Sequence, residues 1–328
     1  MKAEAKPLLS VRGLAKEFTL RAGFFSSDPV RMRAVDDVAF DIHHGETLSL
    51  VGESGCGKST TGRMIARLSE PTEGSVIFNG EDVTGIDGHA LRLLRRDIQM
   101  IFQDPYSSLN PRKTVGEIVA APLHIQGIRP KEGVEQAVRN LLERVGLDGS
   151  SYSRYPSEFS GGQRQRVGIA RALILQPKLI ICDEPVSALD VSVQAQVINL
   201  LEELQQTFGL SYLFIAHDLA VVRHISDRVA VMYLGRIAEI GDADDIYDTP
   251  RHPYTSALLS AVPIPDPARA RERRRTLLKG ELPQPGKPRA GCPFHTRCPS
   301  AGEGCATIRP PLAEVAPGHR VACHYPLS

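Results

Sequence analysis

Three glycines precede a lysine and two hydroxyl residues in the run Gly52-Glu53-Ser54-Gly55-Cys56-Gly57-Lys58-Ser59-Thr60, a spacing suited to gripping a polyphosphate. The glycines let the backbone turn with several amides pointing inward, so phosphate oxygens meet N–H donors at the positive end of a helix. Lys58 neutralises the outer phosphates, and the Ser59 hydroxyl is a hard oxygen ligand of the kind magnesium prefers. The flanks agree with that chemistry. An apolar run, Thr47 to Val51, predicts a strand before the loop, and Ser59 to Leu68 reads as a helix after it.

A second group lies downstream. Lys178-Leu-Ile-Ile-Cys-Asp183-Glu184 is a short apolar run ending in two carboxylates, the pattern of a strand buried on both faces. Ligands of an open α/β sheet bind beyond the C-terminal ends of its strands, which gives the two acids different work. Asp183 can reach a magnesium shell, and Glu184 can orient and polarise an attacking water. A further run, Leu210 to Ala216, ends at His217, where an imidazole can sense a γ-phosphate; in isolation such a histidine reads as a capping or core residue. Ser160-Gly161-Gly162-Gln163, taken alone, is an ordinary helix cap.

The order of these elements resembles the nucleotide-binding domain of an ATP-binding cassette transporter. It runs from the phosphate loop through Gln103, Ser160 to Gln163 and Asp183-Glu184 to Ser187-Ala188-Leu189-Asp190 and His217. More narrowly, Phe102 to Pro111, Arg251-His-Pro-Tyr-Thr255 and a C-terminal cysteine group resemble the second ATPase subunit of bacterial oligopeptide and dipeptide permeases. The resemblance implies ATP and Mg2+ as ligands, with Mg2+ held by Ser59, Gln103 and Asp183. Glu184, His217, Gln103 and Lys58 would be the catalytic set. Phe18 would stack on adenine, where many cassettes carry Tyr. Ser160, Gly161, Gly162 and Gln163 would cap the γ-phosphate held by a paralogous ATPase across a head-to-tail heterodimer, and Asp190 would communicate between the two sites. Two transmembrane permease subunits and an extracytoplasmic binding protein are the implied partners. The implied work is peptide import; nickel or glutathione transport, or a non-transport regulatory cassette, are the alternatives.

The elements that must position these residues are α/β in pattern. The expected fold is a P-loop NTPase cassette with an antiparallel β subdomain, an inserted helical subdomain and a small Cys-rich C-terminal extension. Residues 8–262 make the cassette, with strand-rich segments to about 85, a surface insertion at 24–33, and helices such as Val134 to Val145 within 104–160. The chain has 328 residues, 42% of them hydrophobic, enough for two lobes and a sizeable core. A formal net charge of +1 carries no nucleic-acid signal. No run approaches the roughly 18 apolar residues of a membrane span, and Met-Lys-Ala-Glu does not open a secretory signal. The expectation is a peripheral protein on the cytoplasmic face of the membrane.

Residues 263–291 read as a proline- and arginine-rich linker, and 292–328 as a tail holding Cys292, Cys298, Cys305 and Cys323. Disulfides do not suit a cytoplasmic protein, so metal ligation is the economical reading. Spacing leaves open an iron–sulfur cluster or a tetrahedral zinc, with His295, His319 and His324 able to join the latter. The resemblance favours a [4Fe-4S] cluster. Its expected role is to staple a tail too short to build a core of its own.

Overall fold

The computed structural model describes residues 6–20, 30–104, 108–262 and 290–328. The insertion expected at 24–33 therefore lies outside the described residues up to position 29, as does all of the 263–291 linker except its last two residues. The chain divides into two compact units, one of residues 1–41, 47–84 and 216–328, the other of 42–46 and 85–215.

The first unit holds an antiparallel sheet and part of a parallel one. β1 (Leu9–Leu20) runs antiparallel to β4 (Glu73–Phe78), and β4 turns into β5 (Glu81–Asp82) through Asn79-Gly80. Both turn residues have positive φ, 53° and 86°, the geometry of a two-residue hairpin whose twist matches its strands. β2 (Val30–Ile42) completes the order β2-β1-β4-β5. In the other sheet β3 (Thr47–Val51) lies parallel to β9 (Arg228–Tyr233), with Leu48 opposite Arg228 and Val51 opposite Val231. β9 returns as β10 (Arg236–Asp242), and the tail adds β12 (His319–Val321) and β11 (Ala313–Ala316) in the order β11-β12-β10-β9-β3. Among the described residues of this unit lie the helices α1 (Lys58–Ile65), α7 (Leu219–Ile225), α8 (Ala243–Asp248) and α9 (Pro253–Ala261). α1 stops short of the expected Leu68 because Arg67 takes a left-handed φ of 54°, which ends the helical backbone.

The second unit is built on three parallel strands, β6 (Ile98–Ile101), β7 (Leu179–Asp183) and β8 (Ser211–Ala216), with β7 in the middle. Every residue of β7 and β8 is buried, which explains their unbroken apolar runs. Around them lie α2 (Gly88–Asp97), α3 (Val115–Gln126), α4 (Val134–Arg144), α5 (Gly161–Leu173) and α6 (Val191–Phe208). α3 opens with a reciprocal capping box between Thr114 and Glu117 and closes on Gly127 at φ 69°. Its Gly116 sits under the Tyr152 ring, where an added Cβ would come within 2.5 Å. Among the described residues no helix is long and apolar enough to cross a membrane.

Candidate functional site

In the first unit the buried strand β3 delivers the chain to Gly52, and α1 begins six residues later at Lys58. Glycine is required at the ends of this loop. At Gly52 (φ 154°) a Cβ would lie 2.1 Å from the Met232 carbonyl oxygen, and at Gly57 (φ 106°) 2.4 Å from that of Ala34. Gly57 is the N-cap of α1 and offers no side chain, so the first amides of the helix stay open for an anion. Lys58 is 4% exposed, and its Nζ donates to the carbonyls of Gly52 (2.7 Å) and Glu53 (3.0 Å). The ammonium is thus parked on its own loop. Ser54 and Gly55 are exposed, Ser59 and Thr60 half-buried, while Cys56 is buried beneath the loop. Burial pushes the Cys56 thiol up in pKa, with Lys58 opposing. Phe18 is half-exposed on β1, with the Lys16 ammonium 5.4 Å from its ring centroid. His217 is exposed, and Asp218 beside it accepts the Ala220 amide at 2.8 Å to start α7.

In the second unit, register explains how two of the site side chains meet. Ile101 at the end of β6 stands opposite Cys182 of β7, so two residues further on Gln103 comes level with Glu184. Gln103 Nε2 donates to Glu184 Oε2 at 2.8 Å. Glu184 has φ 47°, an unusual backbone for a residue with a Cβ, and is fixed there by its amide on the Ile215 carbonyl (2.9 Å) and by Ser187 Oγ donating to its own carbonyl (3.1 Å). Asp183 is 2% exposed, at the last position of β7. Ser160 caps α5 in a reciprocal box with Gln163: its Oγ accepts the Gln163 amide at 3.3 Å, and Gln163 Oε1 accepts the Ser160 amide at 3.0 Å. Ser160 and Gln163 are exposed, Gly161 is half-buried, and Gly162 is buried so close to α6 that a Cβ would meet Val193 at 2.5 Å. Asp190 is the exposed N-cap of α6, next to Val191, which is 82% exposed.

Three residues at the phosphate loop escaped sequence reasoning in the roles they play. The Glu53 amide donates to Tyr254 Oη at 3.0 Å, and the Glu53 carboxylate takes both Arg297 terminal nitrogens, at 2.8 and 3.0 Å. That hydrogen bonding raises the pKa of Arg297 further, leaving it a fixed cation. Arg297 and Glu53 are 244 positions apart, and no spacing pattern connects them.

The tail corrects the metal expectation. Among the described residues, which include all four tail cysteines, no group of His, Cys, Asp or Glu is arranged to hold a metal ion. Cys292, Cys298, Cys305 and Cys323 form no disulfide, and the expected [4Fe-4S] or zinc ligand group is not assembled among them. Burial raises the pKa of Cys292 and Cys298, and takes Cys323 up to about 11, with the neighbouring sulfurs adding to it. The histidines are engaged elsewhere: His319 Nε2 with Glu239 Oε1 at 2.7 Å, His295 Nδ1 with the Cys292 carbonyl oxygen, and His324 Nε2 with that of Ile308. A metal staple is unnecessary because the tail borrows the cassette core. β12 pairs with β10, and Phe294, 1% exposed, fills a cage of Tyr233, Tyr254 and His252 with ring centroids 5.3 to 5.8 Å away.

Comparison with known proteins identifies two matched segments. A family profile described as ABC transporter matches residues 35–187, and one described as oligopeptide/dipeptide transporter, C-terminal region, matches residues 238–305. The chain is 54% identical over 323 residues to the oligopeptide transport ATP-binding protein AppF of Bacillus subtilis (strain 168), covering 98% of each. It is also 54% identical over 323 residues to the oligopeptide transport ATP-binding protein OppF of Salmonella typhimurium, covering 98% of this chain and 96% of that one. Among solved structures it resembles the dimeric post-hydrolysis state of the ATP-binding cassette MJ0796 bound to ADP and Pi. The TM-score is 0.63 and the identity 29%, over 72% of this chain and 98% of that one. Similarity to cbiO1 of Clostridium perfringens is comparable, with a TM-score of 0.64 and 25% identity over 75% and 92% of the two chains.

Proposed function

The chain belongs to the ABC transporter family, and from that premise we propose that it is the ATP-hydrolysing subunit of an importer of dipeptides or oligopeptides. The observation that carries the catalytic part is the Gln103 to Glu184 hydrogen bond at the C-terminal edge of β7. In this reading Glu184 takes the proton of an attacking water as the water oxygen bonds to the γ-phosphorus. The β–γ bridging bond then breaks, and phosphate leaves from ADP. Lys58 exchanges its loop carbonyls for phosphate oxygens, and residues 52–60 enclose the polyphosphate with their amides. Ser59, Gln103 and Asp183 offer only oxygen donors, the set that fits magnesium, which when bound neutralises phosphate charge. Phe18 supports the adenine, and His217 the γ-phosphate.

The exposed α5 N-terminus of Ser160 to Gln163 and the exposed Asp190-Val191 edge suit a partner ATPase in a head-to-tail heterodimer. In this reading residues 8–262 form the cassette, 104–160 its inserted helices and 292–328 a tail docked on it. The peptide substrate rests on the named relatives and on the C-terminal region match. Two permease subunits and an extracytoplasmic binding protein complete the importer, with this chain peripheral on the cytoplasmic face. Glu184→Gln tests the assignment: MgATP binding persists while phosphate release is lost. Unchanged phosphate release would remove Glu184 from the mechanism.

A further inference from the structure

Glu53 is fixed at three points, and each leads somewhere different. Its amide is held by Tyr254 Oη on α9 (3.0 Å), its carbonyl accepts the Lys58 ammonium (3.0 Å), and its carboxylate is clamped by the two terminal nitrogens of Arg297 (2.8 and 3.0 Å). Arg297 comes from the C-terminal tail, three residues after Phe294 has plugged the aromatic cage, and its amide is bonded back to the Phe294 carbonyl at 2.9 Å. Its side chain is 8% exposed and that of Glu53 21%, so the pair is largely withdrawn from solvent. The guanidinium also lies 6.0 Å from the Tyr233 ring centroid, with Tyr233 Oη accepting from Nη1 at 3.4 Å. A two-pronged, charge-assisted contact of this kind fixes direction as well as distance, unlike an exposed ion pair.

We propose that Arg297 is a positioning residue for the phosphate loop, a tail side chain that sets, through Glu53, the place of the Lys58 ammonium and hence the affinity for the nucleotide polyphosphate. The proposal rests on the reading that Lys58 meets the phosphates. The loop is anchored at Cys56, whose carbonyl accepts the Gly235 amide at 2.8 Å, while Ser54 and Gly55 are exposed, so Glu53 is the side chain that ties its outer half to the rest of the unit. Without the clamp, Glu53 keeps only the Tyr254 contact on its amide and the Cys56 amide on its carbonyl, and the preset place of the ammonium is held less firmly. Proton transfer at the γ-phosphate belongs to Glu184, which this contact does not touch, and saturating nucleotide returns Lys58 to the phosphates, so the main effect falls on binding.

The test uses the purified full-length chain, with ATP affinity and steady-state ATPase activity measured for Arg297→Ala, Arg297→Lys, Glu53→Gln and the double variant Glu53→Gln/Arg297→Ala. Arg297→Ala weakens ATP binding roughly tenfold, the scale of a lost charge-assisted contact. Its kcat at saturating ATP stays within about twofold of the parent, the signature of a binding effect. Arg297→Lys recovers part of the affinity, and the double variant binds no more weakly than the worse single one. Unchanged affinity in Arg297→Ala, or losses that add in the double variant, would overturn the proposal. If Arg297→Ala does not fold, the near-isosteric Glu53→Gln carries the test, with unchanged affinity again the contrary result. Lys58→Ala separates the two levels. If it abolishes binding while Arg297→Ala does nothing, only the tail proposal fails; if it binds ATP as the parent does, the phosphate-loop reading fails first.

Discussion

Glu184 combines a left-handed φ of 47° with a carboxylate already bonded to Gln103, and both features follow from the strand pairing that ends just before it. A backbone of this type costs on the order of 1 to 3 kcal/mol for a non-glycine residue and persists where its surroundings over-determine it, here through Ile215 and Ser187. The proposed roles give the two side chains separable duties, and with them a prediction at the level of single residues. Glu184→Gln removes the proton acceptor and lowers kcat by roughly 100-fold or more, while Gln103→Ala removes only an orienting contact and lowers it less. Phosphate release by both variants at saturating MgATP checks the order, and equal losses would contradict it. The phosphate loop, Asp183-Glu184 and Ser160 to Gln163 could be singled out in the sequence because the chemistry proposed for each needs particular residue types within a few positions. Glu53 and Arg297 were not, because their partnership is made by the folded tail across 244 positions.

At the scale of elements, the tail is held by strand addition and by one aromatic plug. Phe294→Ala empties the cage of Tyr233, Tyr254 and His252 and costs the unit about 3 to 5 kcal/mol. A lowered denaturation midpoint with earlier proteolysis of the tail is the expected result, and an unchanged midpoint the contrary one. His252 makes the same anchor acid-sensitive. Its Nδ1 accepts the Tyr254 amide at 3.0 Å to cap α9, and burial drives its pKa from the ordinary 6.5 down to about 4, with the Ala322 backbone opposing. The unfolded ring therefore binds a proton between about pH 6.5 and 4 that the folded ring refuses. Stability falls as the pH drops through that window, by about 3 kcal/mol in all, and levels off below it. Denaturation midpoints against pH should lose this slope in His252→Asn, whose amide can cap without titrating; identical slopes would refute the assignment.

The tail also shows where reading a sequence stops. Four cysteines in a short segment suggested ligands, since composition alone carries no sign of what the segment rests on. The anchors are instead Phe294, the His319 to Glu239 contact and the β12 to β10 pairing, none of which has a local pattern. Strand and helix order in the cassette was legible because strands buried on both faces are mostly apolar, and β3, β7 and β8, every residue of them buried, carry only Thr47, Ser49, Asp183 and Ser211 as short polar exceptions.

At the scale of the whole molecule, the chain carries a phosphate loop in one compact unit and the Gln103 to Glu184 pair, with the α5 cap, in the other. For ATP to drive transport, nucleotide states must favour different conformations of the coupled permease, so hydrolysis and substrate movement must stand or fall together. The direct measurement is peptide uptake into proteoliposomes that hold this chain with permease subunits and the proposed sister ATPase, with the binding protein outside and ATP on the cassette side. The account predicts ATP-dependent accumulation of a labelled peptide that stops in Glu184→Gln although ATP still binds. ATP hydrolysis without peptide movement in the complete assembly, or undiminished uptake by Glu184→Gln, would contradict it.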